Sequence, residues 1–128
     1  YRPNPSNSER VRTVQPASRG GSTVVNLGGE GEVPGAINVQ GAWVRHPDWR
    51  SSATGSTLKE LQAAGHQFVI AENTALPFVN GSVKRVITNS VPIDSSTWMG
   101  PGVQSSEVWR ILSSDGVWIN NGVEVPRP

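Results

Sequence analysis

The sequence predicts an α/β fold in which about five mostly parallel strands carry two main helices. Short runs rich in β-branched residues alternate with two stretches of helical period, and this order is typical of an open sheet with helices packed on it. The carboxyl ends of parallel strands meet at one edge of such a sheet, where ligands bind. The predicted strands cover residues 23–27, 36–39, 68–71, 83–89 and 117–119.

The chain has 128 residues, which is enough for one hydrophobic core and one domain. Residues 1–21 contain several prolines and four arginines against one glutamate. That composition predicts an extended linker, or a basic arm that contacts phosphate or a partner. The single folded domain is therefore expected to occupy residues 22–128.

Composition excludes several classes of protein. Eleven basic and ten acidic residues give a formal charge of +1, so no global field attracts nucleic acid or an anionic membrane. The absence of cysteine excludes disulfides, thiolate nucleophiles and cysteine-based zinc sites. The sequence contains no apolar run long enough to span a bilayer, no metal-binding motif, and no signature of a serine hydrolase, a P-loop enzyme or a zinc protease.

The first predicted strand ends in a glycine-rich acidic loop, residues 28–32. A β-branched run that stops at paired glycines is how a buried strand brings bare main chain to a ligand. Residues 36–39 predict a second strand because Ile37 and Val39 alternate with polar neighbours. Pro47 makes the following segment irregular.

Thr57 and Glu60 have the spacing of a capping box, and Gly65 is suited to end the helix that starts there. The dipeptide Asn80-Gly81 predicts a turn before the strand at 83–89. A second helix is expected from Pro101, with residues 113–116 closing it before the last strand. Residues 120–122 are expected to turn the chain out of the sheet.

Three stretches together resemble class I S-adenosylmethionine-dependent methyltransferases, which have a Rossmann-like sheet. Residues 24–32 are similar to the family's first motif, residues 71–90 to the "L-P-F" stretch before its fourth strand, and residues 106–118 to its helix and fifth strand. The resemblance implies a reduced methyltransferase-like domain. It also implies S-adenosylmethionine as a possible cofactor, held by Gly28, Gly29, Gly31 and Asn89.

The chain departs from this family between its first two strands. Only residues 28–35 intervene where the family has a full helix, although a parallel crossover usually needs about a dozen residues. Either residues 36–39 are not the usual second strand or the sheet is altered. Gln40 stands near the place of the acid that holds the cofactor's ribose.

Residues 28–32 and the following Pro-Gly-Ala-Ile-Asn-Val also resemble the carboxyl-terminal effector domains of bacterial polymorphic toxins, of the Rhs and contact-dependent growth inhibition types. Since the sequence starts at Tyr1 rather than Met, we expect a piece cut from a longer polypeptide, or a processed one. The resemblance implies delivery from a secreted or cell-surface protein into the cytoplasm of a target cell. It also implies a cognate immunity protein as partner and tRNA or another RNA as target.

Four residues are candidates for acid and base in metal-independent RNA cleavage: Glu30, Glu32, His46 and Asp94. Two loop carboxylates at a strand's carboxyl end lie where a crevice is expected, or else they are merely solvated. His46 beside Arg45 and Asp48 either supports charge on a phosphate or is simply exposed.

Trp43, Trp49 and Trp98 either stack on a base or pack in the core. Three functions remain open from the sequence: an RNA-cleaving toxin effector, an S-adenosylmethionine-dependent methyltransferase, and a non-catalytic binding module.

Overall fold

The computed structural model describes residues 23–98 and 100–128. The predicted arm, residues 1–21, lies outside the described residues. Eight strands, two α-helices and one 3-10 helix follow one another along the described chain. In chain order they are β1 (Val24–Leu27), β2 (Ile37–Gln40), the 3-10 helix (Ala42–Arg45), α1 (Leu58–Ala63), β3 (Gln67–Ile70), β4 (Val83–Thr88), β5 (Ser96–Thr97), β6 (Gly100–Pro101), α2 (Ser105–Ile111), β7 (Leu112–Asn120) and β8 (Val123–Glu124).

Six of these strands form one sheet in the order β3-β2-β1-β4-β7-β8. The first five strands run parallel, and β8 is antiparallel to β7. The predicted α/β class with a mostly parallel sheet and two helices is confirmed. The strand count differs from the expected five because β8 was not predicted, and β5 and β6 form a separate two-stranded hairpin.

The connection between β1 and β2 explains the missing helix. Val25 pairs with Ile37 in parallel register, so the predicted second strand is present and shifted by one residue. Each of the two strands has only four residues and is therefore about 13 Å long. The nine intervening residues reach about 30 Å when extended. A plain loop is therefore long enough to return the chain to the start of β2.

Helix α1 begins as its capping box predicts. The Thr57 hydroxyl accepts from the Glu60 amide, and the Glu60 carboxylate accepts from the Thr57 amide. Gly65 follows the helix with a φ of +97°, which a residue with a side chain rarely adopts. The local signals at both ends were therefore sufficient to place this helix.

The predicted start of the second helix at Pro101 is wrong. Pro101 belongs to β6, and α2 begins at Ser105. The Asp94 carboxylate accepts hydrogen bonds from the amide and the hydroxyl of Ser105. A side chain eleven positions earlier therefore satisfies the first turn, a contact that local sequence does not reveal.

The expected closure of this helix by residues 113–116 is also wrong. Strand β7 starts at Leu112, which pairs with Val83, and residues 113–116 form a bulge opposite Lys84. Lys84 Nζ lies 2.8 Å from Asp115 Oδ1, and the hydrogen bonds from Lys84 and Ser113 lower the pKa of Asp115 to about 2.

The prediction that residues 120–122 turn the chain out of the sheet is wrong, because the chain pairs again with β7 after this turn. Asn121 and Gly122 both have positive φ, 51° and 81°, which is the conformation of a two-residue hairpin turn. The turn pairs Asn120 with Val123 and so adds β8 to the sheet.

One face of the sheet carries the hydrophobic core. Val25, Val86 and Trp118 are neighbours by strand register, and they belong to one buried cluster with Val108 and Ile111 of α2. None of the helices in the described part of the chain is long and apolar enough to cross a bilayer.

Arg110 of α2 clamps the segment that crosses from β3 to β4. Its guanidinium donates to the carbonyls of Leu76 and Phe78 and to the Asn80 side chain. It also pairs with Glu107, with Nε 2.8 Å from Oε2. Burial opposes ionisation of Glu107, but hydrogen bonds from Arg110 and from the Leu76 amide keep the pKa of its carboxyl below the usual value.

Arg110→Lys is expected to lower the free energy of unfolding by about 1–3 kcal/mol, because lysine keeps the charge but loses the planar set of donors. Urea unfolding checks this. Arg85→Lys, at an exposed position of β4, is the control and should change stability by less than about 0.5 kcal/mol. Equal effects of the two variants would contradict the clamp.

Candidate ligand-binding cleft at the carboxyl edge of the sheet

The other face of β1 and β2 is polar and buried. Asn26, Asn38 and Gln40 are 1%, 0% and 7% exposed, and Asn26 lies beside Asn38 by register. Alternation of polar residues with Ile37 and Val39 is typical of a strand with only one face buried. Instead both faces of β2 are buried, and buried amides require hydrogen-bonding partners.

These three side chains, here called the amide ladder, bind the loop that follows β1. Asn26 Nδ2 donates to Glu32 Oε2 at 2.8 Å. Asn38 Oδ1 accepts from the Gly31 amide at 3.2 Å, and its Nδ2 donates to the Gln67 carbonyl at 3.0 Å. Gln40 Nε2 donates to the Gly29 carbonyl at 3.1 Å. The ladder holds the loop at three points.

Close approach at Gly29 shows how tightly the loop lies on the ladder. A Cβ at Gly29 would lie 2.3 Å from Asn38 Oδ1 and 2.8 Å from the Asn26 side chain. Any side chain at this position would therefore lift the loop from the ladder. The glycine is required here by contact rather than by backbone angle.

The main-chain amides of residues 28–31, here called the loop amides, are all bonded within the protein. Gly28 donates to the Val39 carbonyl at 2.8 Å and Gly29 to the Asn26 carbonyl at 3.1 Å. Glu30 donates to Glu32 Oε1 at 2.8 Å, and Gly31 donates to the ladder. The predicted cofactor-binding glycines are therefore at the expected edge, but their amides are not turned toward a ligand.

Glu32 joins the loops that follow β1 and β4. Its Oε2 accepts from Asn26 and also from Asn89 Nδ2 at 3.2 Å. Partial burial raises the pKa of Glu32, but the hydrogen bonds from Asn26, from the Glu30 amide and from Asn89 outweigh it and lower the pKa below its usual value. Glu32, a predicted acid–base residue, and Asn89, a predicted cofactor contact, are therefore hydrogen-bonded to each other.

Glu30 fastens the loop to a second segment. Its Oε1 accepts from the Ser51 hydroxyl at 2.9 Å, and from the amide and hydroxyl of Ser52 at 2.6 and 3.0 Å. Ser51 is buried, and its Oγ accepts in turn from the amides of Ala53 and Thr54. The carboxylate of Glu30 is thus fixed in position by three donors.

The other two predicted acid–base residues, His46 and Asp94, have different hydrogen-bond partners. His46 is exposed, and its Nδ1 accepts from the Asp48 amide at 3.1 Å. Asp94 caps α2, and hydrogen bonds from Ser105 lower the pKa of its carboxyl. No hydrogen bond between described residues joins either one to Glu30 or Glu32. Hydrogen bonds between described residues therefore do not join all four candidates.

A cleft of about 300 Å³ opens at the carboxyl ends of β1 and β2, between them and the loops after β3 and β4. This is the edge that the sequence predicted, beside the point where the chain switches from one side of β1 to the other. Val39, Val91 and Val103 supply apolar walls, and Gln40 and Asn73 supply amides.

Two tryptophans border this cleft. Trp98, at the turn of the β5–β6 hairpin, is 94% exposed. Asn73 Nδ2 donates to the Pro101 carbonyl at 3.0 Å and so ties the hairpin to the loop after β3. Trp43 is 37% exposed, and its ring covers Gly41, where a Cβ would collide with it. Trp109 and Trp118 instead pack edge to face, 5.5 Å apart.

No known protein family, curated protein or solved structure matches this chain.

The described lining of the cleft is neutral to acidic. It includes Glu30 and, among the residues described, no lysine, arginine or histidine. Residues 23–128 carry seven basic and nine acidic side chains, whereas four arginines and one glutamate fall in residues 1–22. Among the described residues no three His, Asp or Glu side chains are grouped to hold a metal ion.

Sequence reasoning assigned no role to two buried acceptors near this edge. Glu72 Oε2 and Asn26 Oδ1 are buried and have no hydrogen-bond partner among the described residues. Glu72 directly precedes Asn73 of the cleft lining. The sequence signal available for Glu72 was its position directly after the strand predicted at residues 68–71. Buried acceptors are completed by a donor from water or a ligand.

Asn38→Ala is expected to lower the free energy of unfolding by about 2–3 kcal/mol, because it leaves the Gly31 amide and the Gln67 carbonyl unpaired in a buried place. Urea denaturation measures the loss. Asn89→Ala removes one exposed amide at the same edge and should cost less than about 1 kcal/mol. A ladder without structural importance would give two equally stable variants.

Proposed function

We propose that residues 23–128 bind a nucleoside-type ligand in the cleft at the carboxyl edge of the sheet. The observation that carries the proposal is the pair of partly and fully exposed tryptophans, Trp43 and Trp98, at a cleft with apolar walls. Stacking of a base on an aromatic ring contributes about 1–3 kcal/mol per base. A flat heterocycle is therefore the ligand chemistry that this lining suits best.

The position and size of the cleft support the same ligand class. Parallel sheets with this kind of switch in strand order bind nucleotide-like ligands at the switch point. A volume of about 300 Å³ is at the lower end of small-molecule sites. The Asn73 side chain in the lining is of the chemical type that recognises the exocyclic groups of a base.

The lining fits S-adenosylmethionine only in part. The adenosine half matches the tryptophans and the apolar walls. The amino-acid half carries a carboxylate, and the loop amides that a bound carboxylate needs are all bonded within the protein. Gln40 at the end of β2 is not an acid, and its amide already donates to Gly29. We therefore derive no methyl-transfer step, and a reduced methyltransferase-like ancestry remains a proposal based on the sequence motifs.

RNA cleavage is less well supported than binding of a nucleoside. Phosphodiester groups require cations or free amides nearby, whereas the described domain has an excess of acidic side chains. His46 and Asp94 also have hydrogen-bond partners other than Glu30 and Glu32. Cleavage by the four predicted residues would need a rearrangement of the loops that hold them.

Binding is tested by titrating adenosine into the full chain and following tryptophan fluorescence. Saturable binding is expected, and Trp98→Ala should weaken it about five- to one-hundred-fold, the equivalent of losing one stacked base. Trp98→Phe retains a ring and should recover most of the affinity. Val123→Ala changes an exposed apolar residue on β8 and should have no effect. The proposal fails if millimolar adenosine gives no signal, or if Trp98→Ala binds as well as the native chain.

The biological setting that we propose is a bacterial toxin effector, neutralised by an immunity protein. This rests on the resemblance of residues 28–39 to such domains, and RNA as the cellular target is part of the same proposal. A binding module that acts by occupancy, without catalysis, needs no joint action of the candidate residues and is the alternative proposal.

Expression of the full chain inside a bacterium is expected to arrest growth. Trp98→Ala should relieve the arrest because it removes the exposed face of the cleft, whereas Val123→Ala should not. Colony counts at matched expression levels measure the effect. Normal growth with the native chain, at expression levels that an immunoblot verifies, would contradict the toxin role.

A further inference from the structure

Sheets of this topology commonly bind phosphate through the loop after the first strand, because unbonded amides there point at the anion. The four loop amides in this protein all have partners within the chain, at 2.8 to 3.2 Å. Three of those partners are fixed in place: the carbonyls of Val39 and Asn26 belong to strands, and Asn38 is fully buried. A phosphate bound at this loop would have to break these hydrogen bonds before the loop amides could donate to it.

The next set of donors along the edge is also occupied. Ser51 and Ser52 present two hydroxyls and one amide toward a single point, which is an arrangement that suits an oxyanion. The Glu30 carboxylate takes that point, with all three donors within 3.0 Å of Oε1. The protein thus supplies its own anion, and Glu30 is also part of the cleft lining.

No counter-charge is available from the rest of the described lining. The residues that surround the cleft among 23–98 and 100–128 include no lysine, arginine or histidine. A phosphate group attached to a ligand in the cleft would share the cleft with the fixed carboxylate of Glu30. At a partly exposed site, repulsion between two such anions reduces affinity roughly tenfold or more.

We infer that the cleft selects nucleosides without phosphate, neutral or cationic, over nucleotides, and that Glu30 is the residue that imposes this selection. The inference rests on the proposed nucleoside-binding function and narrows it to one chemical class. A positively charged substituent on the ligand is favoured by the same carboxylate. Glu30 accordingly acts as a specificity residue, and no acid or base step is assigned to it.

Calorimetry of the full chain with adenosine and with adenosine 5′-monophosphate, in the same buffer at moderate salt, tests the inference. Adenosine is expected to bind at least about tenfold more tightly than the monophosphate. Equal affinities, or tighter binding of the monophosphate, would overturn the selection and leave nucleoside binding intact. If neither compound binds, the proposed function fails and the selection fails with it.

Glu30→Gln separates the charge from the structure. Glutamine keeps a side-chain oxygen for Ser51 and Ser52, so the loop is expected to stay in place, which urea unfolding verifies. The ratio of the two affinities should then fall toward one. Glu124→Gln removes the same charge from exposed β8 and should leave the ratio as in the native chain. A ratio that Glu30→Gln does not change would show that Glu30 is not the selecting residue.

Discussion

The hydrogen bonds between the amide ladder and the loop after β1 are the constraint on which the rest of the structure depends. Buried amides such as Asn26, Asn38 and Gln40 require partners, and residues 29–32 supply one hydrogen bond to each. A helix usually covers this part of a parallel sheet with apolar side chains. Here a polar strand face and a polar loop form hydrogen bonds with each other, so the sheet needs no helix between its first two strands.

The same bonds determine what the edge can bind. The main-chain amides of this loop are bonded within the protein. A ligand at this edge would therefore contact side chains rather than main-chain donors. Glu32 then meets Asn89 across the switch between β1 and β4, and Glu30 reaches the serines of the 51–55 segment. The exposed hairpin with Trp98 completes the mouth of the cleft. The result is an aromatic site of acidic character, unlike a phosphate-binding loop of similar sequence.

The sequence allowed the class of fold and the location of the edge to be predicted, because those depend on local signals. The capping box of Thr57 and Glu60 and the β-branched strands are examples. It did not reveal contacts between distant segments, such as the Asp94 cap on Ser105. Alternation in β2 predicted the strand but not what covers its polar face, because the pattern of Asn38 is the same whether water or a loop covers it. Glu30 was identified as a site residue, but its engagement by Ser51 and Ser52 depends on the fold.

Amide hydrogen exchange of residues 28–31 tests the central claim most directly. If the loop amides are bonded within the protein, all four should exchange slowly, at rates approaching those of the neighbouring strand β1. Exchange of these amides as fast as in an unstructured peptide, while the amides of β1 and β4 remain protected, would contradict the account, because the loop would then be free to present its main chain to an anion.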